Sequence, residues 1–482
     1  MIFMIIQHSN KDRIYAANNS GSAASISGVT INPGKIKYIS SNSNASYNGS
    51  NISISQARIN EPYDLTVDVL DGNNVYFADY NNRRLRRFNV SDEKLYDVLG
   101  SGKARNGNYG DTPKPTLSHL FSYPAGIAYE STSRKLYFLD SSNCRVREVN
   151  PYGVIQTAVG SSGCAAPTLD NEIASSARLN TGFNMTNNRI NGLTLLPDSS
   201  LVIGNSNSSN IRIWNRTSSS ASYFNIYVQN DRVSNIAGDY LNPGNGGSGP
   251  ATSISMTRSN GAAYDSSAGL LFVIDRQNHC IRQVDSSGNM TTALGTCGTS
   301  GNSGNVVAAG SVLFNLPTKI ALDSANNMYI TDSDNHKVRY WNRSAGSAQI
   351  GSVTVPAGNV ATVACLNGTS GSNSENILAT SARCNRPSGI SVSASQFCFA
   401  NTYYHNVRCV SLTGSSVGRI NTVAGFPMSQ TRAGSPYGFE QEGISATSAT
   451  LYYPTDVELD NNGDLFIADT YNHIIRKVKL SD

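Results

Sequence analysis

At 482 residues the chain has room for three domains of about 150 residues each, unless it is an internal repeat array. Charged residues are 15% of the total, and 37 Lys+Arg against 33 Asp+Glu leave a net charge of +4, too small and too evenly spread to imply a nucleic-acid partner. No stretch approaches the roughly 18 apolar residues that cross a bilayer, so no membrane span is expected. Forty-two glycines, with Ser, Asn and Thr in every connection, suit many short strands joined by turns.

The chain opens on apolar residues Met1 to Ile6, too few for a secretion leader and without a basic flank, which suggests a mature or partial chain. The segment I-I-Q-H-S-N-K-D-R-I-Y-A-A-N, ending at Asn18, reads as two strands, with residues 26–31 and 35–39 as a third and fourth. From about residue 60 a stronger pattern begins. A strand ends in Asp79, Asp140, Asn205, Asp275, Asp332, Asn401 and Asp469, and an arginine follows seven residues later at Arg86, Arg147, Arg212, Arg282, Arg339, Arg408 and Arg476. The residue before each arginine is apolar, and successive units are 57 to 70 residues apart.

Each unit has one grammar. A motif x-P-x-[GD]-[IV], as in Tyr453-Pro454-Thr455-Asp456-Val457, leads a first strand. The second strand carries the acid or amide, a tight turn follows, and the third holds the arginine. A fourth ends near V-A-G, as at Val423-Ala424-Gly425, and a Gly/Ser loop returns to the next unit. Four consecutive antiparallel strands per period, with no helical periodicity, describe a propeller blade. We expect an all-β β-propeller occupying residues 1–482 as one domain, with seven clear repeats over 60–478. Residues 1–40 form either a degenerate first blade, making eight units, or a clasp whose segment 35–39 completes the last blade of a seven-bladed ring. Ser25 stands where that first unit's arginine belongs.

The string D-N-N-G-D-L-F-I-A-D-T-Y-N-H-I-I-R-K-V over 460–478 resembles an NHL repeat almost residue for residue, and L-D-S-A-N-N-M-Y-I-T-D-S-D-N-H-K-V-R-Y over 322–340 is nearly as close. The resemblance weakens in the third and sixth units, where Ser208 and Tyr404 replace the turn Asn. His279, His336 and His473, with His405 beside that position, read as turn residues, which leaves His8 and His119 outside the pattern. Amidating lyases that share the architecture hold zinc with histidines converging on the axis. No spare trio exists here, so neither a metal nor another cofactor is expected.

Eight cysteines each find a local partner. Cys144 and Cys280 open third strands, and Cys164 and Cys297 lie just beyond the fourth. Cys398 and Cys409 sit on adjacent strands, and Cys365 and Cys384 bracket a polar loop. We therefore expect disulfides 144–164, 280–297, 365–384 and 398–409, and an oxidising compartment. Eleven N-x-[ST] sequons agree with secretion: Asn18, Asn44, Asn48, Asn51, Asn89, Asn184, Asn207, Asn215, Asn289, Asn342 and Asn367.

The recurring acid and arginine invite a catalytic reading, but an active site is not repeated seven times, and a carboxylate beside a guanidinium on the next strand is a strong structural bond. The G-x-S-x-G pattern lacks strand–turn–helix context, and the glycines over 242–249 precede no helix. Trp214 and Trp341, two residues beyond their arginines, read as packing residues. The expectation is an extracellular glycosylated interaction or structural protein, an adhesion, matrix or surface-filament component. Its partners would be other protein subunits or matrix glycans, with homo-assembly as one form. The alternative is a small-ligand-binding protein or a lyase or esterase using the axial funnel. An intracellular module that binds RNA or protein through a basic face is disfavoured by the disulfides and the near-neutral charge.

Overall fold

In the computed structural model, residues 192–239, 241–365 and 375–425 are described continuously, and elsewhere between residues 2 and 479 shorter stretches, mostly strands, are described. The fold class is the all-β β-propeller, and its chain divides into two compact units, residues 99–320 and residues 1–98 with 321–482.

The unit of 99–320 carries the second, third and fourth repeats, each a five-stranded sheet. In the fourth repeat the strands run Ser259–Asp265, Leu270–Asp275, Cys280–Val284 and Asn289–Leu294, each antiparallel to its predecessor, and Gly249–Pro250 pairs with the last as an outermost fifth strand. The fifth strand comes from the loop before the repeat, so each sheet is one strand wider than the sequence grammar implies.

Second and third strands are buried on both faces, as in Leu201–Asn205 and Asn210–Trp214, because sheets stack face to face and their apolar runs meet. Val202, Ile213 and Ile236 of the third repeat pack with Leu271, Val273 and Met290 of the fourth, while Tyr137, Leu139 and Val146 of the second meet Leu201 and Ile203 of the third. The third repeat carries an extra hairpin, Ala221–Tyr223 against Ile226–Val228, between its third and fourth strands.

The other unit holds the first and sixth repeats as five-stranded sheets, with the strands Met328–Asp332, Lys337–Trp341 and Asn359–Ala364 of the fifth repeat. Tyr329, Tyr340 and Val363 pack against Ile390, Phe397 and Phe399 of the sixth. The fifth repeat has its own hairpin insert, Ala348–Ile350 with Val353–Val355.

The seventh repeat corrects the expected organisation of the N-terminus. Its strands Pro454–Leu459, Asp464–Asp469 and Ile474–Lys479 continue into Ile2–Gln7, Arg13–Asn18 and Ile36–Tyr38, giving one six-stranded sheet. Ile6 lies opposite Ile475. Residues 1–40 therefore build no eighth unit. The clasp differs too, because Ile2–Gln7 fills the fourth position and Ile36–Tyr38 lies two strands farther out. Among the described residues, 24–26 and 29–31 pair with each other alone, as a separate hairpin. The edge of Ile474–Lys479 takes its next strand from the other end of the sequence, while the N-terminal segment has Ser25 in place of the clamping arginine.

Candidate functional site

Register explains the seven-residue spacing of acid and arginine. Asp140 pairs directly with Arg145, Asp275 with Cys280 and Asp332 with Lys337, so the arginine two residues on lies diagonally across on the same face. Arg147, Arg282 and Arg339 place a guanidinium nitrogen 3.2, 3.3 and 3.1 Å from Asp140, Asp275 and Asp332, and Arg86 sits 3.5 Å from Asp79. All are essentially buried. An asparagine three residues after the acid donates Nδ2 to the same carboxylate, as Asn335 does to both oxygens of Asp332 at 3.0 and 2.9 Å. Asn82, Asn143 and Asn278 do likewise.

A third member of this clamp escaped the sequence reading. The fourth strand shifts register beside each arginine of repeats two to six, and the residue set opposite is Thr157, Asn235, Thr292, Thr362 or Thr422. Arg282 and Arg339 donate to the hydroxyls of Thr292 and Thr362 at 3.0 and 2.6 Å, and Arg147 donates to Thr157. In the first repeat Asp97 stands 2.9 Å from the Arg86 Nε. The signal was present in the strings Q-T-A-V-G, T-T-A-L-G and N-T-V-A-G. Arg282 also donates to the carbonyls of Gly246 and Gly247, fastening the incoming loop.

The third and sixth repeats are wired differently. Asn205 and Asn401 carry no charge, and their Nδ2 donates to Asn210 and Asn406, five residues on, at 2.8 Å each. Their arginines take a carboxylate from the preceding loop instead, Arg212 from Glu172 at 2.9 Å and Arg408 from Glu375 at 3.7 Å. Loss of the turn Asn at Ser208 and Tyr404 thus accompanies loss of the acid. Side chains of Asp469 and Arg476 lie outside the described residues, though their strands keep the common register.

All eight cysteines are bonded, in the pairs 144–164, 280–297, 365–384 and 398–409, with Cα separations of 5.0, 5.1, 5.5 and 4.1 Å. Asp275, Cys280 and Cys297 lie within metal-ligand spacing, but two sulfurs bonded to each other offer no thiolate. Cys144 sits one residue before its third strand, in left-handed backbone at φ 53°.

His279, His336 and His405 occupy one equivalent position, four residues after the acid or amide. This corrects the offset expected for His405. Each ends a one-turn 3-10 helix in left-handed backbone, at φ 57°, 56° and 54°. Their Nδ1 atoms accept the backbone N–H of Leu316, Arg386 and Tyr453, the residues before Pro317, Pro387 and Pro454, at 3.1, 3.0 and 3.0 Å. The bond ties one repeat to the start of the next and requires a neutral ring. Burial holds His405 down to about 4. For His336 burial also lowers the value, against Asp334 and with help from Arg386. His8, His119 and His473 lie outside the described residues.

On this turn face of the unit containing the fifth to seventh repeats, half-buried side chains form a row around the exposed Tyr403. Arg386 lies 3.1 Å from Asp334 and its guanidinium stands 4.9 Å from the Tyr403 ring centre. Tyr403 meets Tyr453 edge to face at 4.9 Å, and Tyr453 packs on His405 at 4.7 Å. Tyr403 remains 37% exposed. Trp214 is buried against Tyr137 with its N–H 3.0 Å from Asp231, a packing residue as expected.

Two of the sequon asparagines are built into the fold. Asn215 and Asn342 are fully buried, and their Nδ2 atoms donate to the carbonyls of Ser219 and Val228 at 3.0 and 2.8 Å, and of Gly346 and Val355 at 2.7 and 2.8 Å. The hydroxyl residue of each motif, Thr217 or Ser344, donates to the same Asn Oδ1 at 2.8 or 2.6 Å. This duplicated W-N-R-[ST] is the hinge of the inserted hairpins. Asn51, Asn207 and Asn289 are exposed and Asn89 is half-buried. Asn44, Asn48, Asn184 and Asn367 lie outside the described residues, as does the side chain of Asn18.

Among solved structures, the chain is similar to virginiamycin B lyase of Staphylococcus aureus, crystallised as a catalytically inactive variant with quinupristin, at 12% identity over 87% of this chain and 95% of that one, with a TM-score of 0.48. A streptogramin B lyase gives 10% identity, 89% and 96% coverage and a TM-score of 0.49. An auxiliary nutrient binding protein of Bacteroides ovatus gives 14%, 99% and 98%, and 0.44. None of these likenesses bears on what the chain does. No curated protein matches. The Teneurin NHL domain model matches residues 235–479, half of the chain, across the repeats whose acid, arginine and turn histidine were traced above. The chain belongs to the Teneurin NHL domain family.

Proposed function

We propose that this propeller is an extracellular interaction module, a non-catalytic component of an adhesive or matrix assembly that engages another protein subunit. The observation carrying the reading is that all eight cysteines are paired in four disulfides, which persist in oxidising compartments and are rare in the cytosol. Membership of the family supports the same setting.

The contact surface is the row Asp334, Arg386, Tyr403 and Tyr453. Tyr and Arg are the residue types that anchor protein interfaces, and here each is held by its neighbour before any partner arrives, which lowers the ordering cost of binding. The test is binding of the fluorescently labelled, oxidised domain to the surface of intact cells. Saturable binding should fall at least about tenfold in the Tyr403→Ala/Arg386→Ala double variant while thermal unfolding stays within a few degrees of wild type. Equal binding by both proteins would remove the row from the proposal. Free thiols in protein isolated from its own cells would remove the extracellular setting.

A further inference from the structure

The eleven sequons are not equivalent once folded, and the fold sorts them. Asn215 and Asn342 spend both Nδ2 hydrogens inside the protein, so a sugar there would displace two backbone acceptors and open a hairpin hinge. Asn51 and Asn289 are the opposite case. Both are exposed, and neither amide side chain makes a hydrogen bond among the described residues.

Their places in the sheets match. Asn51 immediately precedes Ile52–Ser53, the outermost strand of the first repeat's sheet, and sits in a left-handed turn at φ 55°. Asn289 opens the fourth strand of the fourth repeat and lies opposite the exposed Pro250 of its outermost strand. Residue 290 points into the core and Thr291 emerges beside Asn289, so Asn and hydroxyl share the accessible side. Each site therefore borders the free edge of a sheet, where a bulky hydrophilic substituent blocks pairing with another strand.

We propose that Asn51 and Asn289 are the N-glycan attachment sites of the first and fourth repeats, and that Asn215 and Asn342 stay bare. In the transfer, the Asn Nδ2 forms a bond to C1 of a lipid-diphosphate-linked oligosaccharide as the C1–O bond to the diphosphate breaks. The amide gives up one proton, the lipid diphosphate is the leaving group, and nothing is oxidised or reduced. The modification falls on sheet edges. The assignment rests on the extracellular reading above.

The experiment expresses the whole chain behind a cleavable secretion leader in cultured animal cells. Glycans are released enzymatically in heavy-oxygen water, which marks each vacated Asn as labelled Asp, and peptides are read by mass spectrometry. Label is expected at Asn51 and Asn289 and none at Asn215 and Asn342. Thr291→Ala should remove one glycan step in gel mobility with unchanged thermal unfolding, whereas Asn215→Gln should lower the unfolding temperature with no mobility step. Unlabelled Asn289 in secreted protein, or label at Asn215 or Asn342, overturns the assignment. A parallel thiol count separates the two readings: four intact disulfides with a bare Asn289 sinks the glycan sites and spares the extracellular setting, and free thiols sink the setting.

Discussion

The histidine clamps make stability depend on pH with a fixed sign. His405 accepts the N–H of Tyr453 on Nδ1, and burial lowers its pKa from 6.5 to about 4. The unfolded chain, with a histidine titrating near 6.5, therefore binds more protons than the folded one between pH 6.5 and 4, and stability must rise with pH across that window. The clamp's contribution is fully present above pH 6.5 and is lost progressively as pH falls toward 4. At pH 5 the shift corresponds to about 2 kcal/mol, and partial exposure of the ring reduces this to roughly 1–2 kcal/mol. His405→Asn isolates the effect, since Asn tolerates left-handed backbone and offers an uncharged acceptor. Urea unfolding of both proteins at pH 7.5 and pH 5, with the disulfides intact, should show wild type losing roughly 1–2 kcal/mol more than the variant over that interval. Equal losses in the two proteins, or a larger loss in the variant, would refute the neutral-acceptor account.

Three further outcomes follow from the clamps and turns. Arg282→Met strands Asp275 in the core without its cation and should cost about 3–5 kcal/mol, with much of the loss recovered in the Arg282→Met/Asp275→Asn double variant, both read by denaturant unfolding. Gly288 sits at φ +79° with a Cβ position 2.3 Å from the Phe224 carbonyl, where the hairpin of the third repeat docks on the fourth. Gly288→Ala should therefore cost at least about 2 kcal/mol and lower the unfolding temperature, whereas Ala in place of Gly269, whose Cβ position is open, should cost less than about half of that. Replacing Cys398 and Cys409 together by Ser should destabilise by about 3 kcal/mol, from the 11-residue separation of the bridge.

The repeat was legible because its physics is local. Acid, arginine and turn lie within about a dozen residues, and a directly paired register converts their spacing into contact, so Asp275 and Arg282 meet as their separation implies. The four disulfides were legible for the same reason, each joining neighbouring strands or the ends of one loop. What needed coordinates was non-local. Glu172 and Glu375 stand 40 and 33 residues before the arginines they neutralise, in loops with no periodicity of their own. The N-terminal strands mislead for a related reason: four short strands of the right length look like a repeat, but nothing in residues 1–40 reveals the open edge at Ile474–Lys479 that takes in Ile2–Gln7. At Asn215 and Asn342 the motif matches but the side chains are buried, since N-x-[ST] states what an enzyme recognises and says nothing about where the amide is needed.

The sheet shared by the two ends of the chain has a consequence for biosynthesis. Ile6 and Ile475, paired in the folded protein, are 469 residues apart, so Ile2–Gln7 cannot meet Ile474–Lys479 until everything between them has been made. At about 5–20 residues per second, the edge of Ile2–Gln7 that meets Ile474–Lys479 waits roughly 25 to 95 seconds for it, with only Arg13–Asn18 on its other side. Production in quantity should therefore depend on a holding chaperone that shields this apolar segment until Ile474–Lys479 has been made.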